Sequence, residues 1–201
     1  MIADLERRQF LQLAGLSAVL IVAYDAFSLE FKAKTLVRPP GSIVEDSFIE
    51  VCIKCGACAR KCPTGAIVLA TLDDGFKEIG TPKIDALRGA CERIQGRCSE
   101  AALCQQVCPT AAIRQIEQQD IRMGSAEINR DNCIAWRGGL CLVCYEVCPV
   151  RPAISLLDEP PPPRPVFNSE FCVGCGRCLN ACPAQPKAVT LTSNGEKRPL
   201  P

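Results

Sequence analysis

The sequence contains no histidine, one tryptophan and two tyrosines among its 201 residues. Without histidine, zinc sites that recruit imidazole and catalysis by a histidine general base are both excluded. There is also no nucleophile–base pair and no glycine-rich phosphate loop, so no residues form a substrate site. The formal net charge of +1 comes without a basic tract, and nucleic-acid binding therefore has no support.

Cysteine, in contrast, is abundant. The sixteen cysteines fall into four groups of four, and proline follows the fourth cysteine of each group. Motif 1 (residues 52–62) and motif 4 (residues 172–182) have the spacing C-x2-C-x2-C-x3-C-P, which holds a cubane iron–sulfur cluster in bacterial ferredoxins. Motif 2 (residues 91–108) and motif 3 (residues 133–148) are looser copies of the same run.

The chain has few large aromatic residues with which to build a core, so bonds through the cysteines must stabilise the fold. Three kinds of bond are candidates. Disulfides are possible because the number of cysteines is even, and structural zinc is possible because C-x2-C pairs recur. A disulfide scaffold, however, has no reason to place a proline after every fourth cysteine. The spacing therefore favours iron–sulfur clusters over the other two chemistries.

The sequence predicts no catalytic residue and four [4Fe-4S] clusters as cofactors. The predicted metal ligands are Cys52, Cys55, Cys58, Cys62, Cys91, Cys98, Cys104, Cys108, Cys133, Cys141, Cys144, Cys148, Cys172, Cys175, Cys178 and Cys182. An oxidised cluster with four thiolates carries about −2, so four of them would bring the net charge to about −7. Basic residues beside the motifs would offset part of this charge: Lys54, Arg60, Lys61 and Arg177.

The segments around the motifs predict an α+β fold. A β-prone segment precedes each motif, and alanine followed by isoleucine or valine opens another after it. Trailing strands are predicted at residues 67–69, 113–116, 154–157 and 189–192, and leading strands at residues 48–51, 83–85, 126–130 and 166–167. This plan of strand, cysteine loop, short helix and strand predicts tandem bacterial-ferredoxin-like units with two [4Fe-4S] clusters each, plus an N-terminal helix.

The pairing of the motifs determines the predicted domains. In two-cluster domains, three cysteines of one motif share a cluster with the last cysteine of its partner. Matching the two regular motifs places Cys182 with motif 1 and Cys62 with motif 4, and the inner motifs then exchange Cys148 and Cys108. The predicted domains are an outer ferredoxin-like unit (47–82 and 158–192), an inner unit (83–157) and a tail (193–201) that is disordered or bound to a partner. Sequential pairing, motif 1 with 2 and motif 3 with 4, stays open.

The N-terminus has the features of an export signal. Arg7-Arg8-Gln9-Phe10-Leu11 precedes an uncharged run from residue 10 to residue 24, which is shorter than the roughly twenty residues of a spanning helix. A twin arginine before a moderately apolar run resembles a Tat signal, which exports folded proteins. Residues 1–30 are predicted to be a Tat-like signal or an uncleaved anchor helix, with an amphipathic helix as the alternative. Residues 31–46 are predicted to be a linker.

Three stretches carry a resemblance to a known family. They are the twin-arginine start, Gly80-Thr81-Pro82 before motif 2, and the run from Cys133 through Trp136 to Cys148-Pro149. With its four cubane motifs, the chain resembles the NapG/MauM group of ferredoxin-type proteins. The resemblance implies a periplasmic, membrane-associated electron carrier that works beside a quinol-oxidising membrane protein and a terminal reductase or dehydrogenase.

The leading interpretation is a non-catalytic subunit that relays electrons between a quinone-linked membrane partner and a redox enzyme. One alternative is a catalytic iron–sulfur subunit in which one cluster keeps an open site. Sixteen cysteines for four clusters argue against that alternative, because no cluster is short of a ligand. The other alternative is a zinc-binding structural module of a larger complex.

Overall fold

The fold is taken from a computed structural model, in which the described residues are 36–98, 102–159 and 161–200. The predicted signal or anchor at residues 1–30 lies outside these residues. Within the described ranges, no helix is both long enough and apolar enough to span a membrane.

All regular elements in the described ranges are short, and helices and strands are mixed along the chain. The α-helices are α1 (Glu45–Val51), α2 (Ala57–Lys61), α3 (Leu103–Gln106), α4 (Val143–Glu146) and α5 (Arg177–Ala181). The strands are β1 (Ile67–Leu69), β2 (Pro82–Ile84), β3 (Ser125–Ile128), β4 (Ile154–Leu157), β5 (Arg164–Phe167) and β6 (Val189–Thr192). Single 3-10 turns lie at Leu72–Asp74, Glu92–Gln95, Gln118–Asp120 and Arg151–Ala153. The α+β character predicted from the sequence is confirmed.

The strands pair antiparallel in three two-stranded sheets, β1 with β2, β3 with β6 and β4 with β5. The strand after motif 1 thus pairs with the strand before motif 2, and both sheets of the C-terminal half join motif 3 to motif 4. An isolated bridge between Ser42 and Ile113 stands in for the longer strand predicted at residues 113–116. No sheet joins motif 1 to motif 4 among the described strands.

The segment before motif 1, predicted as a strand at residues 48–51, is instead helix α1. Phe48 is completely buried, and its backbone N–H donates to the carbonyl of Val44, one helical turn earlier. Glu45 and Asp46 lie in the first turn, where negative charge stabilises a helix N-terminus. The strand prediction was wrong because the position beside Ile113 is taken by Ser42 instead.

Residues 36–43 of the predicted linker are part of the core. Every residue from 36 to 43 is buried, and Arg38 is only 1% exposed. The Arg38 guanidinium donates to Thr81 Oγ1 and to the Pro82 carbonyl, both at 2.8 Å, and forms an ion pair with Glu45. It also lies 4.9 Å from the centre of the Phe48 ring. A buried arginine is stable only when its donors are satisfied, and these contacts satisfy them.

The predicted disordered or partner-bound tail is ordered through residue 200 and packs against the start of the described chain. Arg198 forms ion pairs with Glu45 and with Glu196. The Val44 backbone N–H donates to the Pro199 carbonyl at 3.3 Å. Basic and proline-rich composition suggested disorder, but Glu45 gives the tail a fixed anchor beside Arg38.

Replacing Glu45 by Gln should lower the free energy of unfolding by about 2 kcal/mol at pH 7, because it leaves the buried Arg38 without its counter-charge and leaves Arg198 with Glu196 alone. Burial alone would raise the pKa of Glu45, but hydrogen bonds and charges from Arg38 and Arg198 lower it below the ordinary value of 4.5. A depressed carboxyl pKa stabilises the fold above the unfolded value, and this stabilisation is lost as pH falls through the folded pKa. Thermal unfolding of the two proteins at pH 7 and near pH 4.5 measures the difference, which should shrink at the lower pH.

The matched control for this prediction is Glu50→Gln, which removes an exposed carboxylate from the same helix. It should change stability by less than about 0.5 kcal/mol. Equal losses in the two variants would contradict a specific contribution from the Arg38–Glu45–Arg198 network.

Candidate iron–sulfur centres

The sixteen cysteine side chains all lie in described residues, and none of them forms a disulfide. They converge in four groups, each numbered by the motif that supplies three of its members. Group 1 is Cys52, Cys55, Cys58 and Cys108; group 2 is Cys91, Cys98, Cys104 and Cys62; group 3 is Cys133, Cys141, Cys144 and Cys182; group 4 is Cys172, Cys175, Cys178 and Cys148.

Groups 2, 3 and 4 each line their own cavity, and every member of the group contributes to the lining. Including the part that opens to solvent, the empty space is about 370 Å³ at group 2, 320 Å³ at group 3 and 350 Å³ at group 4. The remaining lining is mostly apolar; at group 2 it includes Ala66, Ile67 and Ile84. Each of these groups therefore faces a shielded space of its own.

Group 1 is identified by the mutual influence of its thiols. Burial, together with the like charges of Cys52, Cys108 and Cys55, raises the pKa of Cys58 to about 11. Burial likewise raises the pKa of Cys52, with Cys108 and Cys55 as its neighbouring thiolates. Cys108, the last cysteine of motif 2, thus completes the group that motif 1 begins.

These groups follow the sequential pairing, and the nested pairing is wrong. Cys182 joins motif 3 rather than motif 1, and Cys62 joins motif 2 rather than motif 4. The exchange of Cys148 and Cys108 between motifs 2 and 3 is equally wrong, since Cys148 lies with motif 4. The physical reason is the strand pairing: the sheets bind motif 1 to motif 2 and motif 3 to motif 4. The predicted outer unit, with motifs 1 and 4, and the predicted inner unit, with motifs 2 and 3, therefore do not correspond to these groups.

Backbone N–H groups are directed at cysteine sulfurs in both halves of the chain. The N–H of Ile113 donates to Cys108 Sγ, and the N–H of Ala126 donates to Cys172 Sγ, both at 3.4 Å. Such bonds stabilise negative charge on a ligand sulfur and so help to set the reduction potential of a bound cluster.

The donor set fits a positively charged metal core. Burial, together with the charges of the neighbouring thiolates, raises the pKa of Cys91 and of Cys144 to about 12. Burial raises the pKa of Cys178 well above its usual value as well. Thiols in such surroundings become thiolates only when a cation compensates their charge, as iron does in a thiolate-bound cluster. Among the described residues, no three or more Cys, Asp or Glu side chains are arranged so that they could hold a single metal ion.

The four groups adjoin one another in one row. Burial raises the pKa of Cys104 in group 2, and so does the like charge of neighbouring Cys58 in group 1. The Cys91 backbone N–H of group 2 donates to the Cys175 carbonyl of group 4 at 2.8 Å. Groups 3 and 4 share the second apolar core, through Cys144 and Cys178 among others. The order in space is therefore 1, 2, 4, 3, which differs from the order along the chain.

Comparisons with known proteins agree with these groups. Residues 51–112 match the model of a 4Fe-4S dicluster domain, and residues 163–184 match that of a 4Fe-4S binding domain. The chain is 36% identical over 166 residues to the ferredoxin-type protein NapG of Escherichia coli K12, covering 77% of this chain and 69% of NapG. It is 34% identical over 189 residues to the methylamine utilization ferredoxin-type protein MauM of Methylorubrum extorquens, covering 89% and 80%.

The chain belongs to the NapG/MauM family of ferredoxin-type proteins. The family, expected from three sequence stretches, and the presence of 4Fe-4S domains, expected from the cysteine spacing, are confirmed. The dicluster match contains motifs 1 and 2 together, in agreement with the sequential pairing.

The two described stretches that carried the resemblance to the NapG/MauM family serve the scaffold. In Gly80-Thr81-Pro82, the threonine is fully buried and accepts a hydrogen bond from Arg38. Trp136 donates its Nε1–H to the Pro165 carbonyl at 3.0 Å and so ties the motif 3 loop to β5. The twin-arginine stretch lies outside the described residues.

The contact between the two halves of this NapG/MauM-type chain was not predicted from the sequence. Arg177, at the start of α5 in motif 4, donates to Glu92 at 2.6 Å and to Gln95 at 2.8 Å, both in motif 2. Asn180, one turn later, donates to the Ala86 carbonyl at 3.0 Å. Exposed-looking polar residues in a cysteine loop give no signal of such a long-range role. Arg177 was expected only to offset cluster charge, and it also joins motif 2 to motif 4.

Proposed function

We propose that this chain is a non-catalytic electron-transfer subunit that holds four [4Fe-4S] clusters in two consecutive ferredoxin-like halves. The observation that carries this proposal is the set of four adjoining cysteine groups, each complete with four thiols. When bound, such clusters supply one-electron oxidation and reduction. The polypeptide holds them, sets the spacing between them and keeps water from them.

Charged residues of the chain lie beside some of the cysteine groups and not others, so we expect the four clusters to differ in reduction potential. Arg38 is close enough to Cys52 to lower its pKa against the larger raising effect of burial. Arg177 acts in the same direction on Cys175, and Arg151 acts so on Cys148. A nearby cation favours the reduced, more negative state of a cluster, so we expect groups 1 and 4 to have raised reduction potentials.

The partners and the location are part of the same proposal. We infer a relay between a quinone-linked membrane protein and a terminal reductase or dehydrogenase, at the periplasmic face of the inner membrane after folded export. Family membership and the Arg7-Arg8 start support this inference. A row of centres with two separate ends suits a carrier that receives electrons at one end and delivers them at the other.

The test is metal analysis of protein purified without air. We expect roughly sixteen irons and as many acid-labile sulfides per chain, with broad absorption near 400 nm that bleaches on reduction. About eight irons would contradict the number of clusters. A colourless protein that contains zinc would contradict the function itself.

A further inference from the structure

Motifs 1 and 4 have the same cysteine spacing but opposite surroundings. In motif 4, residues 173–176 are all buried. In motif 1, Ile53, Lys54 and Cys55 are exposed, and Ile53 is 63% exposed. Of the sixteen cysteines, all of which lie in described residues, only Cys55 is classed as exposed.

The motif 4 loop is buried because other segments press against it. A Cβ on Gly176 would lie 2.6 Å from Ala86 Cβ, and a Cβ on Gly174 would lie 2.8 Å from the backbone nitrogen of Gly124. The loop therefore lies inside the row, whereas the motif 1 loop lies at one of its ends.

The surface around Cys55 is apolar at its centre. Ile53 is joined by Leu72, which is 65% exposed, and Phe76, which is 76% exposed, both in the loop that follows β1 and that contacts motif 1 through Lys54 and the Lys77 carbonyl. Leu69 is also exposed, and its Cδ1 lies 3.5 Å from where a Cβ on Gly56 would be. Single exposed apolar residues are ordinary, but several of them beside a redox centre indicate an interaction site.

The rim of this surface is basic. Residues 52–62 contain three basic side chains and no acidic one, and the loop after β1 contains Lys77 and one exposed carboxylate, Asp73. Arg60 donates to the Cys55 carbonyl at 2.9 Å, and Lys54 reaches the Lys77 carbonyl at 3.4 Å, so both cations are held beside the exposed cysteine. The backbone of Lys54 lies in the left-handed region, at φ 57°, which is strained for any residue other than glycine. Its side chain also lies against Gly80.

We propose that this motif 1 face (residues 53–55, 60, 61, 69, 72, 76 and 77) is the docking surface for an acidic redox protein that exchanges electrons with group 1. The inference rests on the proposed function and adds to it which end of the row is used and the chemistry of the partner. An apolar centre with a basic rim complements a partner whose own centre is apolar and whose rim carries carboxylates. The brief contact that electron transfer needs is served by such a small, charge-steered surface.

The opposite end of the row offers a matched comparison. In motif 3, Leu140 is 86% exposed and Arg137 is exposed, but the neighbouring Cys141 is half-buried and the other three cysteines of group 3 are buried. An apolar and a basic residue are thus available at both ends, and only the motif 1 end also exposes a cysteine.

The experiment is film voltammetry of the anaerobically purified protein with its clusters, on gold coated with mixed carboxylate- and methyl-terminated thiols. This coating reproduces the acidic rim and apolar centre of the proposed partner. The Ile53→Ser/Lys61→Glu variant should exchange electrons with the electrode about tenfold more slowly than wild type at low salt. The matched Leu140→Ser/Arg137→Glu variant should change the rate less than twofold. Salt should reduce the difference between wild type and the motif 1 variant.

Iron content, measured in the same samples, should be equal in all three proteins, and reduction potentials are measured so that the electrode rates are compared at equal driving force. Wild-type protein that lacks iron would defeat the proposed function itself. Iron-loaded proteins with equal electrode rates, or a slower motif 3 variant, would overturn the docking surface alone. Sedimentation tests whether this face instead binds a second copy of the chain. A wild-type dimer that dissociates on substitution of motif 1 would show such a contact and overturn the docking surface.

Discussion

Replacing Cys182 by Ser should remove the cluster of motif 3 and lower the iron content from about sixteen to about twelve per chain. Cys182 is 8% exposed and lines the same cavity as Cys133, Cys141 and Cys144. A serine there would leave three thiolates in a space from which water is largely excluded. Iron analysis and EPR of the reduced protein measure the loss.

Double substitutions show which cysteines share a cluster. Cys141→Ser added to Cys182→Ser should cost nothing further, since both residues belong to group 3, and the iron content should stay near twelve. Cys58→Ser added to Cys182→Ser should remove a second cluster and leave about eight irons. The nested pairing requires the reverse result, because it places Cys58 and Cys182 together. The two double variants thus control for each other, and each carries the same number of substitutions.

The cysteine spacing predicted the four sets of three consecutive ligands, but it could not predict the origin of each fourth ligand. Similar spacing in motifs 1 and 4 favoured their pairing, whereas the fold pairs neighbours in the chain. Short connections make neighbouring segments the easier partners, because less loop entropy is lost in closing them. The pairing of β4 with β5 across the proline-rich segment is an example.

The trailing strands at β1, β4 and β6 were predicted because alanine and a branched residue follow each Cys-Pro. Residues 36–43 and 193–200 were misjudged for a shared reason. Their prolines, arginines and polar residues indicate exposed chain when taken locally. The burial of the first segment and the packing of the second against it depend on Glu45, which contacts Arg38 from the first segment and Arg198 from the second. Such long-range compensation has no local signature in a sequence.

Gly174 of motif 4 lies directly against another backbone segment. A Cβ at this position would lie 2.8 Å from the Gly124 nitrogen and 2.9 Å from its oxygen. Gly124 lies just before β3, on the segment that connects the halves, and neighbouring Met123 donates its N–H to the Val173 carbonyl at 3.1 Å. The contact joins backbone to backbone, so no side chain can rotate to relieve it.

Replacing Gly174 by Ala should therefore lower the melting temperature by about 10 °C, which corresponds to about 3 kcal/mol in a chain of this length. Part of the loss, about 1 kcal/mol, comes from placing a Cβ at φ +71°, and the rest comes from the clash with Gly124. Gly65→Ala is the matched control, because Gly65 has φ +67° and no atom within 4 Å of its Cβ position. It should lose only about 3 °C.

Motif 1 contains a natural version of this control. Lys54 occupies the position in motif 1 that Gly174 occupies in motif 4, and it adopts φ 57° with a full side chain. Motif 1 tolerates it because its loop faces solvent rather than another backbone segment.

Anaerobic melting curves, followed by circular dichroism and by visible absorption, compare Gly174→Ala with Gly65→Ala. Equal shifts would show that the backbone conformation alone requires glycine and that the contact with Gly124 contributes nothing. A larger shift for Gly174→Ala would show that the close packing of the motif 4 loop excludes a side chain at this position. The same packing places motif 4 in the interior of the protein.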